Sequence, residues 1–198
     1  MSTSRLEAFS DGVLAIIITV MVLELKVPGE PFTLRNLWDT SGLSLLTYLL
    51  SFVYIGIYWN NHHHMFQLCR KVNGSVLWAN LNLLFWLSLY PFTTAWMDES
   101  DFARTPVVIY GVNLLLAALA YYLLQQRILR AEGGDSILRE ALGRDLKGKM
   151  SPLIYLLGIA LCFVDPRLGL VPFIVVALIW LVPDRRLEQY VAVHGTAD

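Results

Sequence analysis

The sequence predicts an all-α membrane protein whose chain crosses the bilayer six times. Two observations carry this prediction: 56% of the 198 residues are hydrophobic while only 16% are charged, and the apolar residues are gathered into long runs. A soluble domain of this length cannot bury so much apolar side chain, whereas a bilayer accepts it. A net charge of −1 gives no reason to expect a nucleic-acid partner.

Six apolar segments are the expected spans of a single domain that covers residues 1–198. A spanning helix needs about 20 mostly apolar residues, and the first four segments reach that length. The last two are shorter and are separated by Asp165-Pro166, so we expect them to form a tilted hairpin. Residues 128–149 are expected to be a cytoplasmic loop containing an interfacial helix, and residues 184–198 a cytoplasmic tail. The six segments are 6–26, 40–69, 75–96, 105–127, 150–164 and 168–183.

The distribution of basic residues predicts the orientation of the chain. With the N-terminus inside, eleven of the fifteen Lys and Arg residues fall on the inner side, and four fall outside. Cytoplasmic loops carry the excess of positive charge, so both termini are expected in the cytoplasm. The outer loops are acidic by contrast. That rim either concentrates cations or merely complements the positive inner side.

The first span has two different faces. Its sequence, "RLEAFSDGVLAIIITVMVLEL", carries Ser10 and Asp11 into an otherwise apolar helix. At about 100° per residue, Ile16, Val20 and Leu23 share one aliphatic stripe with Thr19 at its edge, and both polar residues point to the rear. Any helix packed in a bundle has such a stripe, so the stripe alone does not show a pore.

Three polar clusters lie at one depth in the predicted bundle. All three fall about 5–15 Å from the inner ends of their helices. They are Asp11, the stretch "WNNHHHMF" of the second span and the stretch "WANLN" of the third. An ionised Asp costs a few kcal/mol there unless it is paired, so Arg5 or an Asn or His is expected beside it. Alternatively, these groups only join the helices through hydrogen bonds. The candidates in the second and third spans are Asn60, His62, His63, His64, Asn80 and Asn82.

No enzymatic or metal site is expected. Three consecutive helical histidines point about 100° apart and cannot converge on one ion. The sequence has no nucleophile elbow, P-loop or HExxH motif, so neither an enzyme nor a cofactor is predicted. Cys69 and Cys162 fall near opposite membrane faces, which argues against a disulfide.

The pattern Arg5-x-x-x-Phe9-Ser10-Asp11, opening a span that ends in "VMVLELKVP", resembles the signature of the transmembrane protein 175 family. These are potassium channels of animal endosomes and lysosomes and of prokaryotic plasma membranes. The His- and Asn-bearing second span supports the resemblance, whereas the last three spans agree in number and length only. With one six-helix repeat, the chain resembles the prokaryotic form.

The resemblance implies a homotetramer in the cell membrane, assembled around the first helix. It implies that Ile16 forms the narrowest ring of the pore, that Val20 and Leu23 line it further out, and that Thr19 offers hydroxyls. It also implies that four motif residues hold the helix against the second and third spans, namely Arg5, Phe9, Ser10 and Asp11.

The permeant ion implied is potassium, with a weak preference over sodium. The chain has no TVGYG sequence, so selectivity would come from a tight aliphatic constriction that ions cross partly dehydrated. Two alternatives remain open. One is a proton-conducting channel or proton-coupled transporter that uses Asp11 and the histidines as a relay, and the other is a membrane scaffold without transport.

Overall fold

The chain folds into packed α-helices in the computed structural model, which describes residues 2–133, 136–142 and 145–182. No strand occurs in these residues, and the all-α prediction is confirmed. The expected tail, residues 184–198, lies outside the described residues. The helices of the described part are α1 (Thr3–Leu23), α2 (Leu34–Gln67), α3 (Gly74–Ser88), α4 (Tyr90–Glu99), α5 (Arg104–Glu132), α6 (Ile137–Leu142), α7 (Leu146–Leu161) and α8 (Pro166–Leu181).

Three of these helices are long and apolar enough to cross a membrane. They are α1, α2 and α5, and they coincide with the first, second and fourth predicted spans. The shorter apolar helix α8 coincides with the sixth. The several apolar helices support a membrane protein, as the composition predicts.

The third predicted span consists of two helices, α3 and α4, which meet at Leu89. Pro91 lies in the first turn of α4 and has no N–H to donate to the carbonyl four residues earlier. The α-helical hydrogen bonds are therefore interrupted at this point. The N–H of Leu89 bonds instead to the carbonyl of Trp86, three residues back, at 3.3 Å.

Helices α2 and α5 are longer than their apolar runs. Helix α2 begins at Leu34 because the Thr33 hydroxyl accepts the N–H of Asn36 at 3.2 Å and so caps the first turn. Helix α5 continues through the polar but helix-favouring sequence "QQRILRAE" to Glu132. It stops at Gly133, whose φ of 88° is one that glycine adopts readily.

The segment 128–149 contains the last turn of α5, the helix α6 and the start of α7. Leu138 and Ala141 of α6 are fully buried, so this short helix packs against the bundle. The Glu132 carboxylate accepts the backbone N–H of Arg70 at 2.8 Å and the hydroxyl of Ser136. It thereby ties the α2–α3 connection to the segment that follows α5.

Helices α7 and α8 pack together as the expected hairpin and are anchored by one phenyl ring. Phe173 of α8 is fully buried and its ring lies between Gly111 of α5 and Gly158 of α7. A Cβ atom on either glycine would approach the ring to 2.4 Å, a distance that real contacts do not reach. These glycines are therefore required by close packing of three helices.

We expect Gly158→Ala to lower the free energy of unfolding by about 1–3 kcal/mol because the added methyl overpacks this contact. The carbonyl of Gly169, 3.0 Å from the same position, prevents an easy escape. The melting temperature of the purified protein measures the effect. Gly56→Ala is the matched control, since a Cβ there meets no atom of the chain within 4 Å. Equal melting temperatures for the two variants would contradict the packing account.

Candidate functional site

Helix α1 packs against α2, α3 and α4 with one side only. Its buried residues recur every three or four positions, as they do on one face of a helix. We call them the rear face: Leu6, Ser10, Leu14, Ile17 and Met21. Four of the five are apolar, so Ser10 is the one polar group that this buried stripe places inside the bundle.

The opposite side of α1 is exposed. Ile16 is 63% exposed and Leu23 is 79% exposed, although both are large and apolar. The Thr19 hydroxyl donates to the Ile16 carbonyl at 2.9 Å, so its oxygen keeps its capacity to accept. We call this side the front face: Phe9, Gly12, Ile16, Thr19, Val20 and Leu23. The predicted stripe residues all lie on it.

Ser10 belongs to a buried chain of hydrogen bonds that joins three helices. The amide nitrogen of Asn80 on α3 donates to the Ser10 hydroxyl at 2.9 Å, and Ser10 donates to the Leu6 carbonyl at 2.9 Å. The amide oxygen of Asn80 lies 2.8 Å from Nε2 of His62 on α2. Because Asn80 uses its nitrogen on Ser10, its oxygen accepts, and His62 must carry the proton on Nε2. We call these three side chains the buried triad.

Asp11 has a neutral partner. Its carboxylate accepts the indole N–H of Trp59 on α2 at 3.1 Å. Of the expected partners, Arg5 is exposed, while Asn80 and His62 lie nearby but bond to each other. Asp11 is half-buried.

A second polar chain joins the start of α1 to the end of α2. Glu7 lies 2.6 Å from Nδ1 of His63, and Nε2 of the same ring lies 2.9 Å from the side-chain amide of Gln67. Glu7 is absent from the candidates that sequence reasoning identified. Its position could have indicated a role, because Glu7 lies one turn before Asp11 on α1 and therefore on the same side of the helix.

The remaining candidates belong to neither chain of hydrogen bonds described above. Phe9 is half exposed on the front face. His64 is half-buried, with its ring centroid 5.9 Å from that of His63. Asn60 and Asn82 are half-buried. Within the described ranges no three His, Cys, Asp or Glu residues are grouped so that they could hold a metal ion.

Comparison with known proteins identifies the family. Residues 5–91 match the family model of the endosomal/lysosomal potassium channel TMEM175, a range that holds the motif and both polar chains. A potassium channel of Chryseobacterium sp. (strain P1-3) is 53% identical over 192 residues, which cover 96% of this chain and 97% of the relative.

Two further relatives extend this result. The crystal structure of a lysosomal potassium-selective channel TMEM175 homologue from Chamaesiphon minutus superposes with a TM-score of 0.74 at 31% identity, covering 92% of this chain and 97% of that one. The human endosomal/lysosomal proton channel TMEM175 is 32% identical over 117 residues, which cover 54% of this chain and 23% of the human protein. The chain therefore belongs to the TMEM175 family of membrane ion channels and not to a class of enzymes.

Proposed function

We propose that four copies of this chain form a potassium channel in the cell membrane, with the front face of α1 lining the pore and both termini in the cytoplasm. One observation carries the proposal. An aliphatic surface around Ile16 is exposed on the single chain, while Ser10 and Asp11 of the same helix bond to α3 and α2. The names of the bacterial relatives supply the ion.

The proposed selectivity is a modest preference for potassium over sodium. Ile16 and Leu23 offer no charge and no carbonyl cage, so an ion passes the narrowest ring only after losing part of its water. Potassium holds its water less tightly than sodium, which favours it at such a ring. The Thr19 oxygen, exposed on the same face, replaces part of the lost hydration.

Flux through liposomes tests this proposal. A potassium gradient should drive flux through purified protein reconstituted without a pH gradient, and replacing potassium by sodium should reduce the flux without abolishing it. The protein in detergent should also run as a tetramer, because one α1 cannot enclose a pore. A monomer, or vesicles impermeable to both ions, would contradict the proposal.

A proton-conducting channel is the second candidate, and two observations favour it. The human relative is named a proton channel, and the chain from Glu7 through His63 to Gln67 places titratable groups at one end of α1. Proton relays in membranes use such carboxylate and histidine chains. Acidification of liposomes under a pH gradient, at equal potassium on both sides, distinguishes this activity from potassium flux.

A further inference from the structure

A cleft that the channel proposal does not use lies where α2 and α5 end and α7 begins. The empty space between its walls is about 750 Å³, a volume that includes the open solvent at its mouth. Its walls come from α2, α5, α6, α7 and α8, and α1 contributes none of the described lining residues. The cleft is therefore distinct from the front face of α1.

Aromatic rings form much of the wall. Tyr58 and Tyr121 meet with ring centroids 6.0 Å apart and planes inclined at 64°, which makes a corner of two rings. Trp180 belongs to α8. Its indole N–H donates to the hydroxyl of Ser151 on α7 at 2.8 Å, and this bond fixes the orientation of the ring. The faces of aromatic rings are electronegative and attract cations, tryptophan and tyrosine most strongly.

Two neutral donors hold the carboxylate of Asp145 at the cleft. Oδ1 of Asp145 accepts the N–H of Gly148 at 3.1 Å, and Oδ2 accepts the side-chain amide of Gln125 at 3.4 Å. Both oxygens keep a further lone pair. Lys147, which also lines the cleft, donates to the carbonyl of Val182 at 2.9 Å and makes no ion pair with Asp145.

We propose that this cleft binds a small organic ammonium ion. Its positive charge would lie against the Asp145 carboxylate, and its alkyl groups would pack on the rings of Tyr58, Tyr121 and Trp180. A bare metal ion fits poorly, since it requires a cage of oxygen or nitrogen ligands that these rings do not supply. An anion would be repelled by both the carboxylate and the electronegative ring faces.

Choline and its neutral carbon isostere, dimethylbutanol, are the probes that test this proposal. They have nearly the same shape and differ in the positive charge. Isothermal titration of the purified full chain in detergent should show saturable choline binding at one site per chain, with the alcohol weaker by about tenfold or more. Equal affinity for the two probes would overturn the proposal without any need for a variant.

Asp145→Asn tests the carboxylate directly. Asparagine also caps helix N-termini and tolerates the left-handed backbone that Asp145 adopts at φ 41°, so the fold should persist. We expect choline affinity to fall about tenfold or more at an unchanged melting temperature. Unchanged choline affinity in this variant would contradict the assignment.

Two controls separate the cleft from other sites. Asp39→Asn removes an exposed carboxylate that pairs with Arg35 at 3.8 Å on the first turns of α2, and it should leave choline affinity unchanged. Ile16→Asn alters the front face of α1 and should also leave it unchanged. A loss of choline binding in Ile16→Asn, but not in Asp145→Asn, would place choline in the pore and overturn the proposal. Because binding is measured without flux, the test is independent of conduction.

Discussion

Ile16→Asn is expected to raise potassium flux severalfold and to reduce the preference for potassium over sodium at the same time. In the proposed tetramer, four isoleucine side chains converge on one axis and form a hydrophobic neck that excludes water and so resists ions without any charge. An amide at this position holds water in the neck, which lowers the barrier for both ions. The variant should fold, since Ile16 is 63% exposed and its side chain faces a lumen in the proposed assembly. Reversal potentials under a potassium–sodium gradient measure the change in preference.

The matched control lies two residues away on the same helix. Ile18 is half-buried and packs against the core, so an asparagine there places an amide among apolar side chains. We expect Ile18→Asn to reduce the yield of folded protein and to leave the ion preference of any surviving channel unchanged. If Ile16→Asn and Ile18→Asn behave alike in flux and in yield, the front face of α1 does not line the pore.

Asn80→Leu should destabilise the folded chain by about 2–4 kcal/mol, because it removes the centre of the buried triad. Asn80 is fully buried and bonds to both Ser10 and His62. Leucine has as many side-chain non-hydrogen atoms as asparagine, so the substitution leaves no cavity and the loss comes from hydrogen bonds. His62 would then have no partner on either ring nitrogen, since its Nδ1 is already buried without one in the described structure. The melting temperature and the fraction of assembled protein measure the effect.

The double variant His62→Phe/Asn80→Leu distinguishes this explanation from a packing effect. When both partners of a buried hydrogen bond become apolar, no polar group remains desolvated and much of the stability returns. We therefore expect the double variant to melt above Asn80→Leu. Asn82→Leu serves as the control, because Asn82 is half-buried and stands outside the triad. A double variant less stable than Asn80→Leu, or an equally damaging Asn82→Leu, would refute the role of the triad.

The two faces of α1 could be predicted from sequence because they follow from one helical period. Counting at 100° per residue places Ser10 opposite Ile16, and the structure buries the first and exposes the second. Depth counting predicted that Asp11 lies in one layer with the polar stretches that contain His62 and Asn80. In the structure it is the adjacent Ser10 that bonds to Asn80, because the helical period points Ser10 into the bundle.

Other features were missed for identifiable physical reasons. Trp59 opens the polar stretch of the second span, but no pattern in the sequence pairs its single N–H donor with Asp11. The break at Leu89 was signalled by Pro91, whose missing N–H predicts a helix boundary two residues earlier. The predicted fourth span ends at residue 127, whereas α5 continues to Glu132. Hydropathy identifies the residues that favour the bilayer, and a helix can continue beyond them.

The cleft could not be predicted from the sequence at all. Its main residues come from four parts of the chain, and no periodic pattern relates them. They are Tyr58, Tyr121, Asp145 and Trp180. Their proximity depends on how α2, α5, α7 and α8 pack, which is decided by contacts such as the Phe173 ring between two glycines. Such tertiary packing leaves no local signal in the sequence.

Cadmium block of potassium flux through Ile16→Cys is the most direct test of the central claim that the front face of α1 lines the pore. The native Cys69 and Cys162 are buried and would be replaced by alanine in the background. In a tetramer, four thiols at residue 16 meet on the axis and bind cadmium, which prefers sulfur ligands. We expect micromolar cadmium to stop the flux, a chelator to restore it, and Ile18→Cys in the same background to be insensitive. Equal block of both variants, or block of Ile18→Cys alone, would contradict the claim.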